Sequence, residues 1–115
     1  MTSIEAVLTN IEQTNAWQEE LYVQLHQNGE LSMQETETAA EITRRLDSYG
    51  YVTHQIGGGV VGVLENGAGP TVLFRADIDA LPVKEATGLP YASTKTMADR
   101  AGTVQPVMHA CGHDL

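Results

Sequence analysis

Residues 71–82, Thr71-Val72-Leu73-Phe74-Arg75-Ala76-Asp77-Ile78-Asp79-Ala80-Leu81-Pro82, decide how the chain reads. An apolar, β-branched run passes directly into three charged residues and is closed by a proline. The first half has the composition of a buried strand. The second half looks like a site, and the carboxyl ends of strands are where α/β proteins place ligands. Asp77 and Asp79 lie two apart, so an extended backbone sends both carboxylates to one side. Two ionised acids there repel unless a cation joins them: Arg75, a metal, or a histidine held by one of them. The competing reading is a pair of acids that cap the next turn.

Toward the N-terminus, Val60-Val61-Gly62-Val63-Leu64 is a second apolar run, joined to 71–74 by Glu65-Asn66-Gly67-Ala68-Gly69-Pro70. Asn-Gly between two such runs predicts a hairpin of 60–64 with 71–74. Tyr51-Val52-Thr53-His54 is a further strand candidate. Gly57-Gly58-Gly59 lacks both the Gly-x-Gly-x-x-Gly spacing and the Lys-Ser/Thr partner of a phosphate loop, so it reads as a turn or joint.

Two helices precede the strands. Ile4, Val7, Leu8 and Ile11, continued by Leu21 and Leu25, predict one over 3–28. Thr2 with Glu5 has capping-box spacing, and Asn28-Gly29 is a stop signal through the left-handed conformation that Gly accepts. Ala39, Ile42, Leu46 and Tyr49 predict a second helix over 33–49, opened by Ser32 and Glu35 and ended by Gly50. Its Glu37, Glu41, Arg44, Arg45 and Asp47 face reads as solvated.

Toward the C-terminus, residues 83–107 show little periodicity and read as loop with a short helical turn. His109-Ala110-Cys111-Gly112-His113-Asp114-Leu115 then gathers the single cysteine, two of the four histidines and an acid. Imidazole and thiolate suit zinc, and carboxylate suits harder ions such as manganese. In an extended segment His109, Cys111 and His113 would converge. Pro106 and Gly112 disfavour a helix, so a loop or strand end is expected. The alternatives are a buried Cys beside two surface histidines, or a thiolate nucleophile; the latter normally draws its imidazole from a distant segment. His26 and His54 are isolated and read as structural or exposed.

The 115 residues suit one small domain, and a hydrophobic fraction of 42% permits a core. The net charge of -9 argues against nucleic acid or an anionic membrane as partner. One cysteine makes no internal disulfide and fits a reducing, cytoplasmic compartment. No signal peptide or membrane-length apolar run is read.

The ordered string Phe74-Arg-Ala-Asp-Ile-Asp-Ala-Leu-Pro82, Val83-Lys-Glu85, Gly88-Leu-Pro-Tyr91 and Met108-His-Ala-Cys-Gly-His-Asp114 resembles the N-terminal part of the metal-dependent amidohydrolases of the aminoacylase and carboxypeptidase family. These include hippurate hydrolase, N-acyl-diaminopimelate deacetylase and auxin-conjugate hydrolase. Leu25-His26, Glu30-Leu31-Ser32 with Glu35, and Gly69-Pro70-Thr71-Val72 extend the likeness over essentially the whole chain. Gly29 departs from the usual Pro, and Gly58 from the usual Thr.

The resemblance implies an α/β fold: part of an αβα zinc-peptidase-like catalytic domain, with two N-terminal helices, hairpin strands and a site loop. Residues 1–115 would be the N-terminal part, without the inserted dimerisation domain or the C-terminal catalytic part. It implies hydrolysis of an N-acyl amide of an amino acid or small peptide by the parent protein, a homodimer or higher homo-oligomer. Two divalent ions (zinc, manganese, nickel or cobalt) would serve the full-length site. By position Cys111 and His113 match metal ligands and Asp79 the catalytic carboxylate that orients a ligand, with Asp77, His109 and Asp114 as neighbours. The general-base Glu and the remaining ligands have no counterpart among these residues, so the chain alone is expected to be inactive. The alternative is a non-catalytic truncated product or subunit fragment that needs another chain to complete its sheet and metal site.

Overall fold

A computed structural model describes residues 3–115. It contains α1 (Ser3–Leu8), α2 (Ile11–Gln27), α3 (Thr36–Ser48), β1 (Val52–Ile56), β2 (Gly59–Val63), β3 (Thr96–Ala98) and β4 (Val104–Pro106). The expected mixed helix-and-strand class holds, with two small antiparallel sheets.

The single helix expected over 3–28 is two. Thr9 returns its hydroxyl to the Glu5 carbonyl, and Asn10 leaves helical geometry at the head of α2. Such short polar side chains compete with the helical ladder and favour its ends. Thr2, half of the expected capping box, lies outside the described residues. α2 ends at Gln27 with Asn28 as its cap, but Gly29 is not left-handed. It is small for a different reason: a Cβ there would sit 2.8 Å from the Ala80 Cβ and 3.1 Å from the His109 ring.

α3 starts at Thr36, later than expected, and no side-chain bond caps it from Glu35. Ser32 turns instead to Asp79. The capping acceptor is Glu30, eight residues before Thr38. Its buried carboxylate accepts from the backbone of Glu37 and Thr38, at 3.1 and 2.6 Å, and from the Thr38 hydroxyl at 2.7 Å. Burial pushes this carboxyl up, but those donors win and hold it below its ordinary value. A negative charge there also complements the helix dipole. The Glu41 carboxylate holds Arg44 and Arg45 on the charged face, and Arg45 lies over the Trp17 ring of α2 at 5.1 Å.

The hairpin does not join 60–64 to 71–74. β1 pairs with β2, Val52 opposite Val63 and Ile56 opposite Gly59. The turn is Gly57-Gly58, with φ of 60° and 91°. Two consecutive positive φ angles match the turn that follows the natural strand twist, and Gly-Gly supplies them without steric cost. α3 packs on this hairpin so closely that a Cβ on Gly62 would lie 3.0 Å from Leu46. Residues 71–74 are not a strand; Val72, Leu73 and Phe74 are 88–90% exposed.

The segment read as loop hides a second hairpin, Thr96 opposite Pro106 and Ala98 opposite Val104. The Asp99 carboxylate closes its turn by accepting from the Ala101 and Thr103 amides and the Gln105 side chain. Between the hairpins, three distant segments meet edge to edge. Leu31 bridges Ala80 in parallel, and Leu81 bridges Met108 antiparallel. Leu31, Ala80 and Val107 form the buried cluster beneath, with Met97 packed against it.

Glu30→Ala should lower stability by about 2 kcal/mol, the scale of a lost helix cap with hydrogen bonds to a charged group. Because the folded carboxyl titrates below its ordinary 4.5, its contribution is present above that pH and lost as pH falls through the folded value. Urea unfolding should therefore show the gap between wild type and variant narrowing below pH 4.5. A gap that stays constant through that range would refute the capping role.

Candidate metal centre

The bridge Leu81–Met108 sets the site. It places Asp79, two residues before Leu81, against the turn that follows Met108. The His113 Nδ1 lies 2.9 Å from the Asp79 Oδ1 and 3.1 Å from the Asp79 carbonyl. Both are acceptors, so Nδ1 carries the proton and donates. The other Asp79 oxygen accepts from the Ser32 hydroxyl. That bond and the one to His113 outweigh desolvation and hold the Asp79 carboxyl below its ordinary value. His113 is raised in turn, chiefly by its bond to Asp79.

The Nε2 of His113 faces outward, 4.0 Å from Asp77 Oδ2. Asp77 also pairs with the exposed Arg75. Of the three ways to relieve two adjacent acids, two are seen: Arg75 for Asp77 and a histidine for Asp79. A histidine fixed at Nδ1 by a carboxylate with Nε2 presented is the usual arrangement of a metal-bound imidazole and its outer partner. Cys111 is exposed on the neighbouring bend. An exposed thiol and an oriented imidazole fit a borderline divalent ion such as zinc.

His109, Cys111 and His113 do not converge. Residues 109–115 are loop and turn, as expected, but Cys111 is exposed while His109 is buried. Among the described residues no group of three or more His, Cys, Asp or Glu is arranged to hold a metal ion. Two donors fall short of the three that a catalytic zinc takes from protein. The His109 ring nitrogens have no hydrogen-bond partner, and burial pushes its pKa down, so the imidazole is neutral.

Asp114 points away from this face. Its Oδ2 lies 2.7 Å from the His26 Nδ1, and the His26 Nε2 lies 3.0 and 3.1 Å from the two Glu85 oxygens. Glu85 also accepts from the Ser93 amide and the Thr87 hydroxyl, both at 2.5 Å. The side chains of His26, Glu85 and Asp114 are buried. Ser32, His26 and Glu85 are residues that spacing does not assign to the site: it reads Ser32 as a helix opener and His26 as structural or exposed. Each stands in a stretch that carries the family likeness, which is the signal for a role at the site. His54 stays apart on β1.

No protein-family model matches the chain. Individual relatives do. The chain is 44% identical over 99 residues to hippurate hydrolase of Campylobacter jejuni, covering 84% of this chain and 24% of that protein. It is 42% identical over 94 residues to N-acetyl-L-cysteine deacetylase of Bacillus subtilis, covering 79% and 20%. Among solved structures, the Bacillus subtilis YXEP protein, a dinuclear metal-binding peptidase from the M20 family, superposes with a TM-score of 0.73 at 34% identity. That match covers 90% of this chain and 28% of that one. A candidate aminohydrolase from methicillin-resistant Staphylococcus aureus gives 0.80 at 32% identity, covering 94% and 27%.

By fold and sequence the chain is thus similar to part of a set of hydrolases, one of them a dinuclear metal-binding peptidase. That similarity agrees with the resemblance read from residues 74–114. It spans about a quarter of the length of the relatives it matches. No helix among the described residues is long and apolar enough to cross a membrane.

The His113–Asp79 pair should be at full strength between the two ordinary pKa values, 3.8 for Asp79 and 6.5 for His113. Below that window Asp79 takes up a proton; above it, as pH passes the raised value of His113, the imidazolium is lost. Following the His113 ring proton by NMR, Asp79→Asn should shift its midpoint down toward 6.5. An unchanged midpoint would mean the two are not paired.

Proposed function

We propose that the whole protein hydrolyses an N-acyl amide bond of an amino acid or small peptide with divalent metal, and that residues 1–115 form the N-terminal part of its catalytic domain. The observation that carries the reading is the Asp79–His113 pair with its Nε2 left free beside Asp77. The relatives support it: two are amide hydrolases by name, and a third is a dinuclear metal binder.

In this reading Cys111 and His113 hold metal. When bound, the metal polarises the scissile carbonyl and lowers the pKa of a water. Asp79 keeps the proton on Nδ1 of His113, so that Nε2 is the lone-pair donor, and raises the basicity of the ring. Ser32 fixes the second Asp79 oxygen, so the carboxylate cannot rotate away. Asp77, held by Arg75, keeps negative charge beside the ligand face. His109 lines the buried side of the loop, and Asp114 anchors it. Zinc, manganese, nickel and cobalt all suit the donor set in part, since thiolate and imidazole prefer softer ions and the carboxylates harder ones. Two ions per site, further ligands and a general-base Glu from the part of the relatives that this chain does not span, a cytoplasmic location and a homo-oligomeric parent complete the proposal. The acidic net charge of -9 favours a small-molecule substrate over nucleic acid or an anionic membrane.

Two measurements test it. In a chimera in which this chain replaces the matching segment of the Campylobacter hippurate hydrolase, metal-dependent cleavage of hippurate should be retained. Cys111→Ser should lower it by roughly a thousandfold, since a lost metal ligand removes several kcal/mol of transition-state stabilisation. Full activity in the Ser variant would remove Cys111 from the site. The 115-residue chain alone should show no deacylation of N-acetyl amino acids with added Mn²⁺ or Zn²⁺. Turnover that is lost in its Cys111→Ser variant would overturn that expectation.

A further inference from the structure

The His26 cluster is an enclosed polar group outside the candidate ligands. The side chains of His26, Glu85 and Asp114 are 6%, 0% and 3% exposed. Three separate parts of the chain meet there: the last turn of α2, the segment after Pro82 and the turn that carries Cys111 and His113. Both His26 nitrogens face carboxylate oxygens. Carboxylates only accept, so the arrangement is satisfied in full only by an imidazolium with both N–H groups donating. Tyr22 and Tyr91 close the sides, their ring centroids 5.8 and 5.6 Å from that of His26.

Burying such a group is unfavourable by itself, and apolar replacements of buried ion pairs are often neutral or stabilising. A chain that needed only a packed α2 end would be served by a leucine. The geometry shows what a leucine would not supply. On the metal-motif turn, Ala110, Cys111 and Gly112 are exposed and His113 is half-buried, while Asp114 is buried. Among the described residues, the turn's own recorded backbone bond is a single long one, Leu115 N to Gly112 O at 3.3 Å. Its side-chain anchors are His113 to Asp79 on one side and Asp114 to His26 on the other. A candidate ligand provides the first. The second touches no candidate ligand at all.

We propose that His26 is a positioning residue for the metal motif. Its imidazolium, braced by Glu85, grips the Asp114 carboxylate and fixes the orientation of the Cys111–His113 turn. Glu85 does not reach that turn itself; it holds His26 in place and is in turn held by Ser93 and Thr87. Ser93 continues the brace into the core by donating its hydroxyl to the Val107 carbonyl at 2.6 Å. The path thus runs from α2 to the loop and back to the strand that leads into His109. The functional consequence rests on Cys111 and His113 being ligands; the positioning itself does not.

The test uses the full 115-residue chain, with His26→Gln and Asp114→Asn as variants. Asp114→Asn lies outside every helix and strand, so circular dichroism should stay at the wild-type level. Without metal, exchange of the Leu115 amide, the bonded one of the turn, should accelerate and the ¹⁵N order parameters of residues 111–115 should fall, the effect of one lost hydrogen bond to a charged group. Exchange in α3 and the β1–β2 hairpin should not change. In wild type, ¹⁵N spectra should show both His26 ring nitrogens protonated with a strongly downfield Nδ1 proton. That proton should vanish in Asp114→Asn and persist in Asp114→Glu, which should also recover the exchange protection in part. With Co²⁺ as probe, the thiolate-to-cobalt absorption should appear in wild type and require roughly 10- to 100-fold more metal in both variants. Unchanged Leu115 exchange and unchanged order parameters over 111–115 in both variants would overturn the positioning role, whatever cobalt does. No cobalt absorption in wild type would remove the ligand reading and leave the exchange result to decide His26. Faster exchange with unchanged cobalt affinity would show that the grip does not serve metal binding, and would overturn the functional half.

Discussion

Two reciprocal backbone hydrogen bonds between Leu81 and Met108, at 2.9 and 3.0 Å, organise the site. They join segments 27 positions apart, and neither segment belongs to a regular strand there. On one side they are extended by the Ala80 amide donating to the Glu30 carbonyl at 2.7 Å. The buried cluster of Leu31, Ala80 and Val107 shields these bonds from water. Backbone groups in that setting are costly to leave unpaired. Once Leu81 and Met108 are in register, Asp79 and the His109–Asp114 loop are forced to the same end. Gly29 belongs to the same constraint, because the space its Cβ would occupy is already filled by Ala80 and the His109 ring.

Around that register, charge is distributed by burial. His109 has no hydrogen-bond partner, so removal from water outweighs the nearby Asp114 and Asp79 charges, its pKa is lowered and the ring stays neutral. His26 is as buried, and desolvation is its largest influence too, but the hydrogen bonds it donates to Glu85 and Asp114, with their charges, together outweigh it and its pKa is raised. His113 is the most exposed of the three and is governed mainly by one carboxylate. Three histidines within one small region therefore take three different electrostatic roles. The sequence pattern His-x-Cys-x-His treats two of them as equivalent.

This is where the sequence was legible and where it was not. The class of fold, the placement of Asp79 against the metal motif and the break before α3 were readable, because motif order and helical periodicity are local or carried by the family likeness. The hairpin partner was misread. Asn66-Gly67 is a strong local turn signal, but Gly57-Gly58 offers two positive φ angles and leaves only a two-residue connection. The shorter loop wins when both flanking strands can pair. Glu30 as the cap of α3 was not readable, because the chain loops back across Leu31 to Glu35 before the helix starts. The grip on Asp114 was hidden for a similar reason: its partner His26 lies 88 residues away. Separation along the chain conceals polar partners that spacing rules cannot reach.

The apolar side chains make the remaining contrast. Val72, Leu73 and Phe74 have the strongest strand composition in the chain, yet they lie open to solvent, while the buried apolar cluster is small. Hydrophobic burial scales with area, so a cluster of three side chains and a neighbouring methionine contributes little against the entropy of ordering the loops around it. Order at the site must then come from groups that specify geometry. The Asp79–His113–Ser32 set, the Glu30 cap and the Asp114–His26–Glu85 grip have that character: each uses directional, charge-assisted bonds, and the first and last tie residues distant in sequence. Such bonds tolerate a modest core because they fail individually when their geometry is wrong. The candidate ligands therefore stand on the polar network, and their orientation depends on His26, Glu30 and Ser32 more than on the exposed apolar residues 71–74.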